Sequence, residues 1–319
     1  MKMIRHRILT LAYACMALSA QAQTELVKFG DFENWITRHV KESALMGGQT
    51  KTLYEVGPTA TIDGAKPYFN QGGAPWANSN VYAKVCGIVK TNCSVFPDTH
   101  GSGKCVKLTS RIEKCKAIGI VNITVLAAGS IYLGTMIEPI TGTSNPMGKI
   151  NVGIPFTKRP KALQIDYKVY LPDEPNRIKE TGFGKRKTVA GRDMCEIVCL
   201  LQKRWEDEDH QIHAQRVGTM RLRLDKNTDG WVEKKQFPIH YGDITSQIWY
   251  EDYMGLVVGE RAYYAINSKG ENVKIIEEGW AKADENPTHL ILKFDSSYGG
   301  AYVGTPGNTL WLDNVGFVY

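Results

Sequence analysis

The 319-residue chain contains no C-x-x-C pair, no G-x-S-x-G elbow and no H-E-x-x-H motif. It also lacks a Walker loop and a dinucleotide fingerprint. These absences remove the motif-borne serine hydrolases, zinc peptidases, nucleotide hydrolases and nicotinamide enzymes. Cysteine is scarce, at seven residues. The irregular spacing of Cys86, Cys93, Cys105 and Cys115 argues against a structural zinc site. No long amphipathic helical pattern, internal repeat or low-complexity tract occurs. The formal charge of +6 is small, and Lys2, Arg5 and Arg7 supply three of those charges. Without them the balance is +3, so nucleic-acid binding is not expected.

Those three cations open a segment that reads as an export signal. A short apolar run, 8–18, follows them, and Ala20-Gln21-Ala22 forms a small-x-small cleavage site. The run is too short to span a bilayer, so no transmembrane segment is expected. Cleavage after Ala22 and a periplasmic, cell-surface or secreted location follow. Cys15 is a poor lipidation site, because Tyr13 precedes it by two positions and no polar tether follows. Export permits one or two disulfides among Cys86, Cys93, Cys105 and Cys115, with no connectivity readable. Cys195 and Cys199 share a strand face with Ile197 and Leu201. Four strand residues span about 13 Å, beyond disulfide reach, so both read as buried free thiols.

Strand signals dominate what is present. Alternating or apolar runs predict strands at 105–112, 119–126, 162–170, 196–204, 219–225, 232–237, 289–294 and 309–317. Gly, Asn and Asp clusters at 98–103, 141–145, 225–230 and 296–300 separate them. In the last part, Leu290, Leu292 and Phe294 face one way, and His289, Lys293 and Asp295 the other. Leu310 and Leu312 likewise alternate with Thr309, Trp311 and Asp313. Short strands with such turns predict an all-β sandwich, read as one elaborated domain over 23–319. The alternative is a small N-terminal piece ending near Gly129.

Three segments carry a family resemblance: FGDFENW from Phe29, GIPFTKRPKALQIDYKVYLP from Gly153, and the Asp-bearing terminal strand after the SSYGG loop. Together the chain resembles the putative carbohydrate metabolism domain family, over roughly 29–319. The resemblance implies a jelly-roll β-sandwich similar to carbohydrate-binding modules, exported by glycan-degrading Gram-negative bacteria. It implies a polysaccharide or oligosaccharide partner. The segments 86–115, rich in Cys, and 244–286, rich in Tyr, depart from the simplest pattern.

Several site expectations follow. In exported jelly rolls of this type an acidic residue on the first strand often meets an Asp on the last, bridged by structural Ca²⁺. The matching residues are Asp31, Glu33 and Asp313; the alternative is solvation or backbone hydrogen bonding. The run DKNTDGWVEKKQ, 225–236, mimics a calcium loop but has Gln236 where a bidentate Glu belongs, and a hairpin turn is the favoured reading. Seven Trp and fifteen Tyr can supply rings for stacking on pyranoses. The sugar-binding candidates are Trp76, Trp205, Trp249 and Tyr253, with Asp166, Lys168 and Tyr170 on one strand face. Core packing is the competing role for any single ring. Glycoside hydrolysis needs two carboxylates about 5–9 Å apart. Glu196, the acidic stretch 206–209, Glu251 and Asp252 are available, but no pair is singled out. The leading expectation is a noncatalytic carbohydrate-binding protein. A carboxylate-pair hydrolase and a structural or adhesive envelope component are the alternatives.

Overall fold

The computed structural model describes residues 24–117, 121–142, 144–182 and 184–319. The segment predicted to direct export and Cys15 lie outside them, as does the side chain of Cys115. Eight strands form the sandwich: β1 (Gly103–Thr109), β2 (Ser130–Met136), β3 (Ala162–Tyr170), β4 (Cys195–Glu206), β5 (Ile212–Leu224), β6 (Val232–Pro238), β7 (His289–Asp295) and β8 (Thr309–Val318). One sheet runs β6-β3-β8-β1, and the other runs β2-β7-β4-β5. All neighbouring pairs are antiparallel. These are the two strand orders of a jelly roll, in which consecutive strands repeatedly change sheet. The first sheet is extended by the edge strand Val95–His100 beside β1 and by Thr24–Leu26 beside β8.

The period-two pattern drives this arrangement. Leu290, Leu292 and Phe294 of β7 face Leu310, Leu312, Val315 and Phe317 of β8 across a common core, all at most 3% exposed. Fully burying one such side chain contributes about 1.5–3 kcal/mol. Strand β4 begins CEIVCLL and is buried on both faces. Cys195, Ile197, Cys199 and Leu201 enter the sandwich core. Val198 and Leu200 point the other way, into a second cluster with Val257, Tyr263, Ala265 and Ile275. Much of the Tyr-rich segment therefore covers the back of the second sheet.

The structure corrects two local expectations. Residues 225–230 do not close a hairpin: β5 lies in the second sheet and β6 in the first, so they form a crossover. Asn227 and Thr228 in that loop are spent on the backbone of Leu171 and Val169. The predicted strand 105–112 breaks at Ser110 into β1 and Arg111–Ala117. The five described cysteines are free thiols, so no bridge forms among Cys86, Cys93 and Cys105. Cys86 instead occupies, with Gly87, the two-residue turn of the hairpin Val81–Val85/Ile88–Asn92, both at positive φ.

Candidate functional site

The outward face of the first sheet gathers chemistry that its inward face excludes. Alternation places Leu163, Ile165 and Val169 of β3 in the core, and Gln164, Asp166, Lys168 and Tyr170 outward. Adjacent β8 presents Trp311, paired in register with Lys168 on one side and Lys107 of β1 on the other. The Lys168 ammonium lies 4.2 Å from the centre of the Trp311 ring and 5.6 Å from that of Trp231. Lys107 lies 5.4 Å from the Trp311 ring. The Trp311 indole N–H donates to Asp98 on the edge strand at 2.9 Å. Partial burial works against the Asp98 charge, but this bond, the Thr99 amide and Lys107 hold its carboxyl below the usual range. Tyr170 ends the row, half exposed.

At the other end of this face lies a histidine–aspartate cluster. His100 Nδ1 is 2.7 Å from Asp313 Oδ2, and the His100 ring stacks on Trp231 with centroids 3.8 Å apart. Asp166 joins them: one donor atom from each of His100, Asp166 and Asp313 lies within 4.8 Å of the others. Local backbone irregularity produces this convergence. The pairing of β3 shifts at Asp166 against both neighbours, and Asn314 and Lys234 adopt φ of 50° and 49°. Such bulges re-aim side chains and recur beside functional sites. The Asn314 side chain donates to Asp166 Oδ2 at 2.8 Å, its amide donates to Asp313 Oδ1, and the Lys234 amide donates to Asp166 Oδ1. Burial pushes the Asp313 carboxyl up, the His100 bond pulls it back, and the Asp166 charge adds to the rise.

The family model described as putative carbohydrate metabolism domain matches residues 32–318. The chain belongs to this family. A putative glycoside hydrolase from Bacteroides thetaiotaomicron aligns over 86% of this chain and 76% of its own, at 20% identity and TM-score 0.44. One from Bacteroides vulgatus aligns over 93% and 95%, at 15% identity and TM-score 0.41. No curated protein matches.

In this carbohydrate metabolism domain the expected site residues fall in separate places. Asp166, Lys168 and Tyr170 share the outward face as their alternation predicts. Trp76 does not reach a surface. It is 1% exposed, packs against Phe32 and Phe294, and donates its indole N–H to the Lys28 carbonyl. Its ring is core, which corrects the sugar-contact reading. Trp205 stacks on His213 near the tip of the β4–β5 hairpin, and Trp249 lies against His240. A small, largely apolar cavity of about 160 Å³ opens beside Trp249, lined also by Met220, Phe237 and Ile244. Tyr253 stands over the Arg223 guanidinium on the second sheet, so these three aromatics do not converge with the β3 face. The expected cation set also changes. Asp313 meets Asp166 and His100, whereas the exposed Glu33 accepts from the Lys104 amide and Asp31 joins no metal-competent cluster among the described residues. Trp231, Trp311, Asp98, Lys107 and His100 are not among the residues expected from sequence. Only Trp311 carried a usable signal, its shared parity with Asp313.

Proposed function

We propose that this chain binds an oligosaccharide or polysaccharide, without transforming it, on the outward face of the first sheet. One observation carries the reading: Trp231, Trp311 and Tyr170 share that face with Asp98, Lys107 and Lys168. Flat rings match the apolar faces of pyranoses, and the charged groups match their hydroxyls. The lysines over Trp311 do not bar a ligand. A cation–π contact at an accessible site is worth about 0.5–1 kcal/mol, and lysine stems rotate freely. Affinity is modest, since polar contacts on an open sheet trade against water. Export and action in the periplasm or outside the cell form part of the proposal. Among the described residues no helix is long and apolar enough to cross a membrane.

The hydrolase alternative is best served by Glu196 and Asp295, directly opposed across β4 and β7 and each at most 6% exposed. Arg221 and Arg223 pair with Glu196, and Lys293 pairs with Asp295. That neutralisation favours a structural network over an acid and base poised for substrate. The test is a glycan-array screen followed by product analysis on each hit. Saturable binding with no released sugar supports the proposal. Released product, or no binding to any glycan class, overturns it.

A further inference from the structure

We infer that His100, Asp166 and Asp313 form a binding site for one divalent first-row transition ion, with Mn²⁺ or Zn²⁺ preferred over Ca²⁺. The site draws on three strands: His100 from the edge strand, Asp166 from β3 and Asp313 from β8. Their donor atoms, one nitrogen and two oxygens, lie within 4.8 Å of one another. Ligands about 2.1 Å from a common ion lie at most about 4.2 Å apart, so a small closure of side chains brings all three onto one ion. Imidazole plus carboxylate selects first-row transition ions, whereas calcium sites are built from oxygen alone.

Charge points the same way. Asp166 and Asp313 are each 5% exposed. Among the described residues, neither forms an ion pair with a lysine or arginine. Glu233 adds a third carboxylate, 3.9 Å from His100 Nε2. The imidazole of His100 is the only ion-pair partner of Asp313 among the described residues, and Asp166 has none, so a bound cation would offset the cost of burying both carboxylates. The outer shell is already in place: the Asn314 side chain and amide and the Lys234 amide donate to the aspartates. Such contacts fix the orientation of ligating carboxylates. Stacking on Trp231 fixes the imidazole plane.

The site adjoins the proposed carbohydrate face, but its test needs no glycan. The chain is stripped with a chelator and titrated with Mn²⁺, Zn²⁺ and Ca²⁺ by calorimetry, with Mn²⁺ also followed by electron paramagnetic resonance. The expected result is one Mn²⁺ or Zn²⁺ per chain, held at least tenfold more tightly than Ca²⁺. Asp166→Asn and Asp313→Asn each weaken binding at least tenfold. His100→Gln, at a partly accessible position, narrows the preference over Ca²⁺ while circular dichroism stays native. Quenching of Trp231 fluorescence by Mn²⁺, absent in Trp231→Phe, gives a second readout. No stoichiometric ion, a preference for Ca²⁺, or unchanged binding in Asp166→Asn and His100→Gln overturns the inference. A metal result in either direction leaves the glycan screen to decide the carbohydrate reading separately.

Discussion

Replacing Arg38 by Met strikes the most concentrated buried charge in the N-terminal part of the chain. Arg38 is 2% exposed. Its two terminal nitrogens donate to Glu55 Oε1 and Glu138 Oε2, each at 2.7 Å, and Nη2 also reaches the Lys66 carbonyl at 3.1 Å. Two charge-assisted bonds at about 1.5–3 kcal/mol each bound the loss from above. Removing one partner of a buried pair typically costs about 3–5 kcal/mol. Burial holds the Glu55 proton up to about pH 8 against the pull of Arg38. A carboxyl with a raised folded-state pKa stabilises most at low pH and loses that contribution as pH rises through the folded value. Without Arg38, the pull that lowers the Glu55 carboxyl is gone, and its proton is held to still higher pH. The deficit should therefore grow by up to about 1.4 kcal/mol per pH unit above about pH 8. Urea unfolding of both proteins at about pH 7 and pH 9 measures it. Adding Glu138→Gln to Arg38→Met should recover most of the loss. A deficit below about 1 kcal/mol, or one independent of pH, would refute the assignment.

Two further predictions concern other buried groups. Burial raises Asp193 to about 6, while its oxygens accept from Ser297 and the Met194 and Thr305 amides. Its stabilising proton is lost between about pH 4 and 6, so stability should fall through that window by roughly 3 kcal/mol at most. Asp193→Asn should flatten this slope in thermal melts taken across it; an unchanged slope contradicts the account. Thiol labelling read by mass spectrometry should modify exposed Cys86 within minutes and spare Cys195 and Cys199 until the chain unfolds. Burial pushes both of those thiols far up, which removes the reactive thiolate. Equal labelling of all three in the native state would contradict the two-faced burial of β4.

Much of the sandwich is legible because one period recurs. The alternation in 162–170 and 289–294 places the inward and outward residues of β3 and β7 correctly, and the face of Cys195, Ile197, Cys199 and Leu201 is core as read, whereas burial of the opposite face of β4 carries no sequence mark of its own. The site is less legible because its parts are distant in sequence. His100 and Asp313 are 213 positions apart. The bulge at Asp166 and the left-handed Asn314 and Lys234 leave no pattern that alternation would reveal. Trp231 is hidden because 225–230 resembles a hairpin turn, although it leads into the other sheet. Trp76 sits in GAPWANSN, a loop-like stretch with no periodicity to mark its ring as core. Its short strand Trp76–Asn78 pairs with β2, and neither strand is among those that the alternation predicts.

The central claim is that sugar is held on the outward face of the first sheet, and calorimetry with four variants tests it most directly. A glycan identified on the array is titrated into the native chain and into Trp311→Ala, Trp231→Ala, Trp205→Ala and Trp249→Ala. Loss of one stacked ring at about 1–2 kcal/mol corresponds to a roughly five- to thirtyfold weaker complex. The account predicts that loss for Trp311→Ala and Trp231→Ala, with Trp205→Ala and Trp249→Ala binding as the native chain does. Full affinity in both Trp311→Ala and Trp231→Ala, or loss confined to Trp205→Ala or Trp249→Ala, would contradict it.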